Sequence, residues 1–256
     1  MSHQLLIDCG NTFLKWGRYL PCKPGQAIHP IGARCVEFNR ALLDEIPTLV
    51  RDWRKQAPPS KIVISNVAGT RVRNPIMRAL EAWLDAPIPI WITAVEEQCG
   101  VRNGYMNPRQ LGSDRWASLI GAHGVFPDRP LLVAVCGTAT TVDLLSRDGL
   151  FVGGTIMPGL GLMQRVLHEQ TAALPDAQGE YVEHPIQTVD AIASGCAHAQ
   201  VGAIERQFHL HEPSHPGLQC VISGGAAANL APRLTVPFEL RENLVLEGLY
   251  EIAQSI

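Results

Sequence analysis

The sequence of 256 residues predicts an α/β protein built from two duplicated domains with a cleft between them. Three observations carry that expectation. Apolar runs of strand length alternate with longer stretches whose apolar residues recur at helical spacing. Two of the strands break into the same kind of turn: "LLID" runs into Cys9, Gly10, Asn11 and Thr12, "LVAV" into Cys136, Gly137, Thr138 and Ala139, and each turn returns as a strand. The two turn glycines stand about 127 residues apart, too long a period for a solenoid but right for a gene-duplicated pair of domains. Late in the chain, "CVISGGAAANLAPRL" at 220–234 runs a strand through Gly224 and Gly225 into an alanine-rich helix.

Taken in order, "LLIDCG" is a strand and "TFLKWGRYL" its extended return. Residues 40–57 carry apolar positions at helical spacing, and "KIVISNV" at 61–67 is a strand bounded by Pro58, Pro59 and Gly69. Residues 74–86 read as a helix, and "PIPIWIT" at 87–93 as a short β-branched strand. A loop with Asn103, Gly104 and Pro108 precedes the helical "GSDRWASLIGAHGVF", with Ser113 and Asp114 in its first turn. The second half holds the strand pair at 130–145, a third strand in "GLFVGGTIMPGL" and the helix-like "GLMQRVLHEQTAAL". The final "ENLVLEGLYEIAQSI" has helical periodicity and is expected to pack back on the first domain. The division predicted is 1–117 and 118–256.

Composition narrows the function. A formal net charge of −3 lacks the footprint of a nucleic-acid binder. No apolar run reaches the ~18 residues of a membrane span, and Asp8, Lys15 and Arg18 interrupt the one candidate leader, so a cytoplasmic location is expected. The seven cysteines are scattered without a C-x-x-C pair and read as reduced core residues. His209, His211 and His215 cluster beside Glu212 among prolines and glycine, which reads as an exposed loop rather than a zinc site.

The turns point to phosphate chemistry. Glycine with small polar neighbours at a hairpin tip exposes backbone N–H groups and lets a phosphate approach the main chain. Asp8, at the strand end before the first tip, is placed to hold Mg²⁺ directly or through water; the alternative is an Asx-turn in which Asp8 and Asn11 only stabilise the hairpin. The strand–Gly-Gly–helix junction suits either an adenine or ribose face, or a tight helix-to-sheet contact. The chain has neither G-x-x-x-x-G-K-[ST] nor G-x-G-x-x-G after its first strand, which excludes a P-loop and the dinucleotide fingerprint. On pattern alone Asp114 is a helix N-cap.

A phosphate-binding hairpin, its echo and a late Gly-Gly turn together resemble the actin, Hsp70 and sugar-kinase superfamily. Within it the chain resembles the type III pantothenate kinases, the family that also contains the Bvg accessory factor proteins. The resemblance lies in six blocks in order: "DCGNTFLKWG", "NGYMNPRQLGSDRW", "CGTATTVD", "GGTIMPGL", "TVDAIASG" and "SGGAA". It implies two RNase H-like domains and ATP-dependent phosphorylation of the pantothenate 4′-hydroxyl, the first step toward coenzyme A. It implies ATP contacts from Asp8, Cys9, Gly10, Asn11, Thr12, Phe13, Leu14 and Lys15, with Thr138, Gly224 and Gly225, and Asp8 acting near Mg²⁺. Tyr105, Gly112, Ser113, Asp114, Arg115 and Thr188 would line the pantothenate site, Asp114 as the base and Arg115 facing the acidic end of the substrate. A homodimer is implied as well. Many family members carry an aspartate two residues before the Gly-Thr of the second hairpin, where it ligates a monovalent cation such as K⁺ or NH₄⁺; this chain has Val135 there, without an oxygen donor. The rival expectations are a kinase for another small alcohol, or a nucleotide-binding accessory regulator of the same fold without kinase activity.

Overall fold

The computed structural model describes residues 3–21, 35–46, 49, 53, 55–81, 83, 85–176 and 179–256. The chain divides into two compact units, Met1–Pro127 with Leu244–Ile256, and Asp128–Asn243. A cut at 117 would fall inside a helix, Ser113–Val125, whose buried residues belong to the first unit.

The first unit is built on strands β1 (Gln4–Cys9), β2 (Phe13–Tyr19), β3 (Cys35–Leu42), β4 (Lys61–Asn66) and β5 (Ile90–Trp91), in the order β3-β2-β1-β4-β5. The first three pair antiparallel, and β4 and β5 join in parallel. Helix α1 (Thr70–Leu80) follows β4; a short hairpin, β6 (Glu97–Gln98) and β7 (Val101–Asn103), turns through Cys99 and Gly100, both at positive φ as a tight two-residue turn requires. Helix α2 (Ser113–Val125) completes the run before the second unit.

The second unit repeats the plan. Strands β8 (Leu131–Cys136), β9 (Ala139–Leu145) and β10 (Leu150–Pro158) pair antiparallel; after helices α3 (Leu160–Glu169) and α4 (Thr188–His211) come β11 (Gln219–Ser223), the short α5 (Ala227–Leu230) and β12 (Phe238–Arg241). β11 joins β8, and β12 joins β11, both in parallel, so the order β10-β9-β8-β11-β12 reproduces that of the first unit strand for strand. The duplication inferred from a dozen residues thus extends through both sheets.

Helix α6 (Leu244–Ser255) closes the first unit. It runs against α2 through glycine: a methyl group on Gly248 would strike the Ala117 backbone, and one on Gly121 would lie 2.5 Å from the Leu244 carbonyl oxygen. Lys61 Nζ donates to the Ala253 carbonyl at 2.6 Å, and Tyr250 Oη to the Leu20 carbonyl at 2.9 Å, fixing the helix to the sheet. The two faces of this sheet are therefore distinct. Leu5, Ile7, Cys9, Leu14 and Trp16 enter a core with Ile62, Ile64, Ile76 and Trp53, whereas the alternate residues of β1 and β4, among them Gln4, Lys61 and Ser65, meet α6 or α2.

Some elements differ from expectation. Residues 40–42 finish strand β3 rather than opening a helix, α1 starts and stops several residues early, and only Ile90–Trp91 of "PIPIWIT" forms a strand. His209 and His211 end the long helix α4 instead of lying in a loop. Cys9, Cys136, Cys196 and Cys220 are buried and Cys35 and Cys99 half-buried; Cys22 lies outside the described residues.

Candidate active site

Strand β1 carries Asp8 on the face of the sheet away from the tryptophan core, between Lys15 of β2 and Ser65 of β4. The start of α2 comes over the same strand ends. Ser113 Oγ lies 2.9 Å from Ser65 Oγ and accepts from the Asn66 N–H at 3.2 Å, which fixes the first turn of the helix above β4. Gly112 is its N-cap, so Asp114 is two positions further in, not the cap. Its Oδ1 accepts from the Arg115 N–H at 2.8 Å. A methyl group at Gly112 would come within 2.7 Å of that oxygen, so glycine is the residue that leaves the Asp114 carboxylate its place.

The two carboxylates feel each other. Burial pushes Asp8 up to about 7; the Lys15 ammonium opposes the rise and the Asp114 charge adds to it. Asp8 is only 7% exposed, and its Oδ1 has no hydrogen-bond partner among the described residues. Asp114 is also raised by burial, held back by the Arg115 N–H and guanidinium. A buried, unpartnered carboxylate oxygen beside a second carboxylate fits a small divalent cation, which takes one or two carboxylates and fills its remaining positions with water and phosphate oxygens.

Arg115 is buried at 5% exposure. Its Nη1 donates to Tyr105 Oη at 2.9 Å, and Tyr105 is itself tied by its N–H to Asn103 Oδ1 at 3.1 Å. The structure therefore gathers Asp8, Tyr105, Gly112, Ser113, Asp114 and Arg115 within the first unit.

The hairpin tip is tied by the Gly10 N–H donating to the Phe13 carbonyl at 3.1 Å, and Asn11 and Thr12 are exposed. Arg71 Nη2 donates to the Asn11 carbonyl at 3.4 Å. The expected ATP contacts separate into two kinds. The side chains of Cys9 and Leu14 are core, and Phe13 lies under the Arg40 guanidinium at 3.4 Å, which leaves the backbone of the tip and Lys15 as the polar surface.

The remaining expected residues stand in the second unit. Its hairpin is one residue tighter, the Gly137 N–H donating to the Ala139 carbonyl at 3.0 Å, with Thr138 exposed at the tip. Two glycine-bearing segments press on this hairpin. Gly159, before α3, donates its N–H to the Thr138 carbonyl at 2.9 Å; Gly224 stands at φ +100, where a side chain would strike the Cys136 backbone, and Ala226 donates to the Cys136 carbonyl at 3.0 Å. Gly225 faces open space. Thr188 opens α4 and lines an apolar hollow of about 600 Å³ with Pro158, Met163, Leu167 and Ala199.

Val135 occupies in β8 the place that Asp8 occupies in β1. Asp8 pairs with Lys15 and Ser65; Val135 pairs with Thr141 and Ser223. This position offers hydroxyls on its neighbouring strands and no carboxylate, so the residues here do not fit the aspartate-ligated monovalent-cation site of the family pattern.

Ser65, Asn66 and Arg71 are not among the site residues expected from the sequence. The signal was present: "VISN" at 63–66 and "VISG" at 221–224 are equivalent strand ends of the two repeats, each running through glycine into a helix.

Residues 4–210 match the family model for type III pantothenate kinase. A type III pantothenate kinase of Aromatoleum aromaticum is 46% identical over 251 residues, covering 98% of this chain and 97% of that protein. One from Herminiimonas arsenicoxydans is 44% identical, covering 97% and 96%. Among solved structures, a Baf family protein of Campylobacter jejuni superposes with a TM-score of 0.59 at 18% identity, over 98% of each chain. The activator of 2-hydroxyisocaproyl-CoA dehydratase from Clostridium difficile does so at 0.51 and 12%, over 99% of this chain and 93% of that one. These two likenesses concern the fold alone.

Proposed function

The chain belongs to the type III pantothenate kinase family and phosphorylates pantothenate in the synthesis of coenzyme A; on that premise we propose that the Asp8–Asp114 centre of the first unit carries the transfer. The observation that supports it is the pairing itself: two carboxylates, one from a strand end and one from a helix start, close enough for the charge of Asp114 to raise the proton affinity of Asp8.

Phosphoryl transfer asks a protein chiefly for in-line positioning and for charge stabilisation. Asp114 takes the proton of the 4′-hydroxyl as that oxygen bonds to the γ-phosphorus and the bond to the ADP oxygen breaks. Burial serves this role, because a carboxylate with raised proton affinity is a better base near neutral pH. The Arg115 guanidinium, oriented by Tyr105 Oη, recognises the pantothenate carboxylate. The Gly10–Thr12 tip and Lys15 of the first unit receive ATP phosphates; in the second unit, considered by itself, the exposed Thr138 tip and the Gly224–Gly225 turn are the groups suited to nucleotide contact. Asp8 would hold Mg²⁺, which would neutralise phosphate charge.

ADP release from ATP and Mg²⁺ tests the substrate assignment. Pantothenate should drive turnover and glucose should not; equal rates with both would assign the centre to another alcohol.

For the monovalent cation, Val135 leads to a definite expectation. Turnover in Na⁺ alone should stay within about twofold of that in K⁺, because no carboxylate is available there to favour an ion of one size. A loss of tenfold or more on replacing K⁺ by Na⁺ would show that hydroxyls and carbonyls suffice to build the site.

A second copy of the chain is the proposed partner. Helix α3 buries none of its residues within its own unit, with Val166 42% and Leu167 36% exposed, and it borders the hollow that Thr188, Ala191, Gly195 and Ala199 of α4 line. Apolar surface of this kind marks an interface. Sedimentation equilibrium should give twice the 27.9 kDa chain mass; a monomer at all concentrations would contradict the dimer.

A further inference from the structure

We infer that the first unit holds a second ligand site, a pocket on the tryptophan face of its sheet that takes a small monoanionic acid carrying a hydrogen-bond donor. The pocket has a volume of about 420 Å³ and is lined by His3, Arg18, Leu20, Val36, Glu37 and Gln56. It lies toward the opposite end of β1 from Asp8: Arg18 pairs with Leu5, three residues and therefore about 10 Å along the strand from Asp8. It also lies on the opposite face, since Arg18 pairs with Leu5 and, two residues from Trp16, shares the face of the strand that carries the tryptophan core.

Three polar atoms there have no hydrogen-bond partner among the described residues. Arg18 is 9% exposed and its Nη2 has no hydrogen-bond partner among the described residues; the same holds for Nε2 of His3, 8% exposed, and for Oε1 of Gln56. Buried donors and acceptors are ordinarily satisfied, and a buried guanidinium nitrogen most of all. Glu37 does not meet this need. Its Oε2 is 3.8 Å from Arg18 Nε, and its Oε1 already accepts from Asn39 Nδ2 at 2.7 Å.

The surroundings hold the guanidinium in place. It stands 5.8 Å from the Trp83 ring, which stacks on Trp53 at 5.2 Å. Opposite it the sheet bulges: Arg18 pairs with Glu37 and Tyr19 with Cys35, so Val36 is the extra residue, the kind of irregularity that re-aims side chains beside sites.

The ligand class follows from these atoms. Arg18 Nη2 needs an acceptor and favours an anionic one. Gln56 Oε1 needs a donor, which a hydroxyl or amide N–H supplies. Leu20 and Val36 accept a short apolar body, and Glu37 on the rim opposes a second negative charge.

Calorimetric titration of the full chain with 3-hydroxybutyrate tests the site, with butyrate lacking the donor and 1,3-butanediol lacking the carboxylate. The hydroxy acid should bind, and both analogues should bind at least about threefold more weakly. Arg18→Gln should weaken the hydroxy acid about tenfold or more, and Gln56→Leu about threefold. Gln56→Leu also serves if Arg18→Gln fails to fold, because it is the Gln56 backbone carbonyl, not its side chain, that accepts from Trp83 Nε1. No heat of binding at about 10 mM, or binding unchanged in the folded variants, would overturn the site.

Discussion

Asp8→Asn will abolish turnover and at the same time stabilise the ligand-free protein at alkaline pH. The folded protein holds the Asp8 proton up to about 7, chiefly through burial, while in the unfolded chain the group titrates near 3.8. The folded state thus binds this proton more tightly. Its contribution to stability is fully present below the unfolded value and is lost as the pH rises through about 7. Three pH units of displacement correspond to at most about 4 kcal/mol. Asparagine keeps the shape without the charge, so at pH 8 the variant should unfold about 2–4 kcal/mol later than the natural protein, and the gap should close toward pH 4. Urea denaturation at the two pH values measures this. Added Mg²⁺ should then stabilise the natural protein and not the variant, because a ligand stabilises only the state that binds it. A variant no more stable than the natural protein at pH 8 would mean that Asp8 is not a buried charge awaiting a cation.

Much of this arrangement could be read from the sequence, and what could not was hidden for identifiable reasons. The two hairpins were legible because strand alternation breaks at glycine in both repeats, and Asp8 stood out as a charge ending an apolar run. Strand β3 was not. Its exposed positions include Val36, Phe38 and Leu42, while Glu37 and Asn39 are only partly exposed, so the apolar pattern opposes the burial pattern and its last residues merge with a helical spacing. Helix α4 escaped because its small residues, such as Ala191, Gly195, Ala199 and Gly202, blur the contrast between its faces. Asp114 was placed in the right turn of the right helix, but its cap role went to Gly112. The Ser65–Ser113 contact could not be foreseen, since it depends on where α2 crosses the sheet, which no local pattern records.

Asp114→Asn carries the second large effect. The substitution leaves a carbonyl oxygen that can still accept from the Arg115 N–H, so the first turn of α2 should keep its geometry. What it removes is the capacity to accept a proton. General-base catalysis contributes about 10²–10⁴ in rate, so kcat should fall by that factor while KM for pantothenate changes little. A comparable rise in KM with kcat intact would instead make Asp114 a binding residue. The same burial that raises Asp114 should place the acidic limb of the natural enzyme's pH–rate profile above the ordinary carboxylate range.

Pantothenate-dependent ADP formation from ATP and Mg²⁺, measured side by side for the natural protein and Asp114→Asn, is the most direct test of a carboxylate-based kinase centre in the first unit. Turnover that requires pantothenate and collapses about a hundredfold or more in the variant is the predicted result. Undiminished turnover in the folded variant would contradict the assignment of the base, and no turnover by the natural protein would contradict the kinase centre itself.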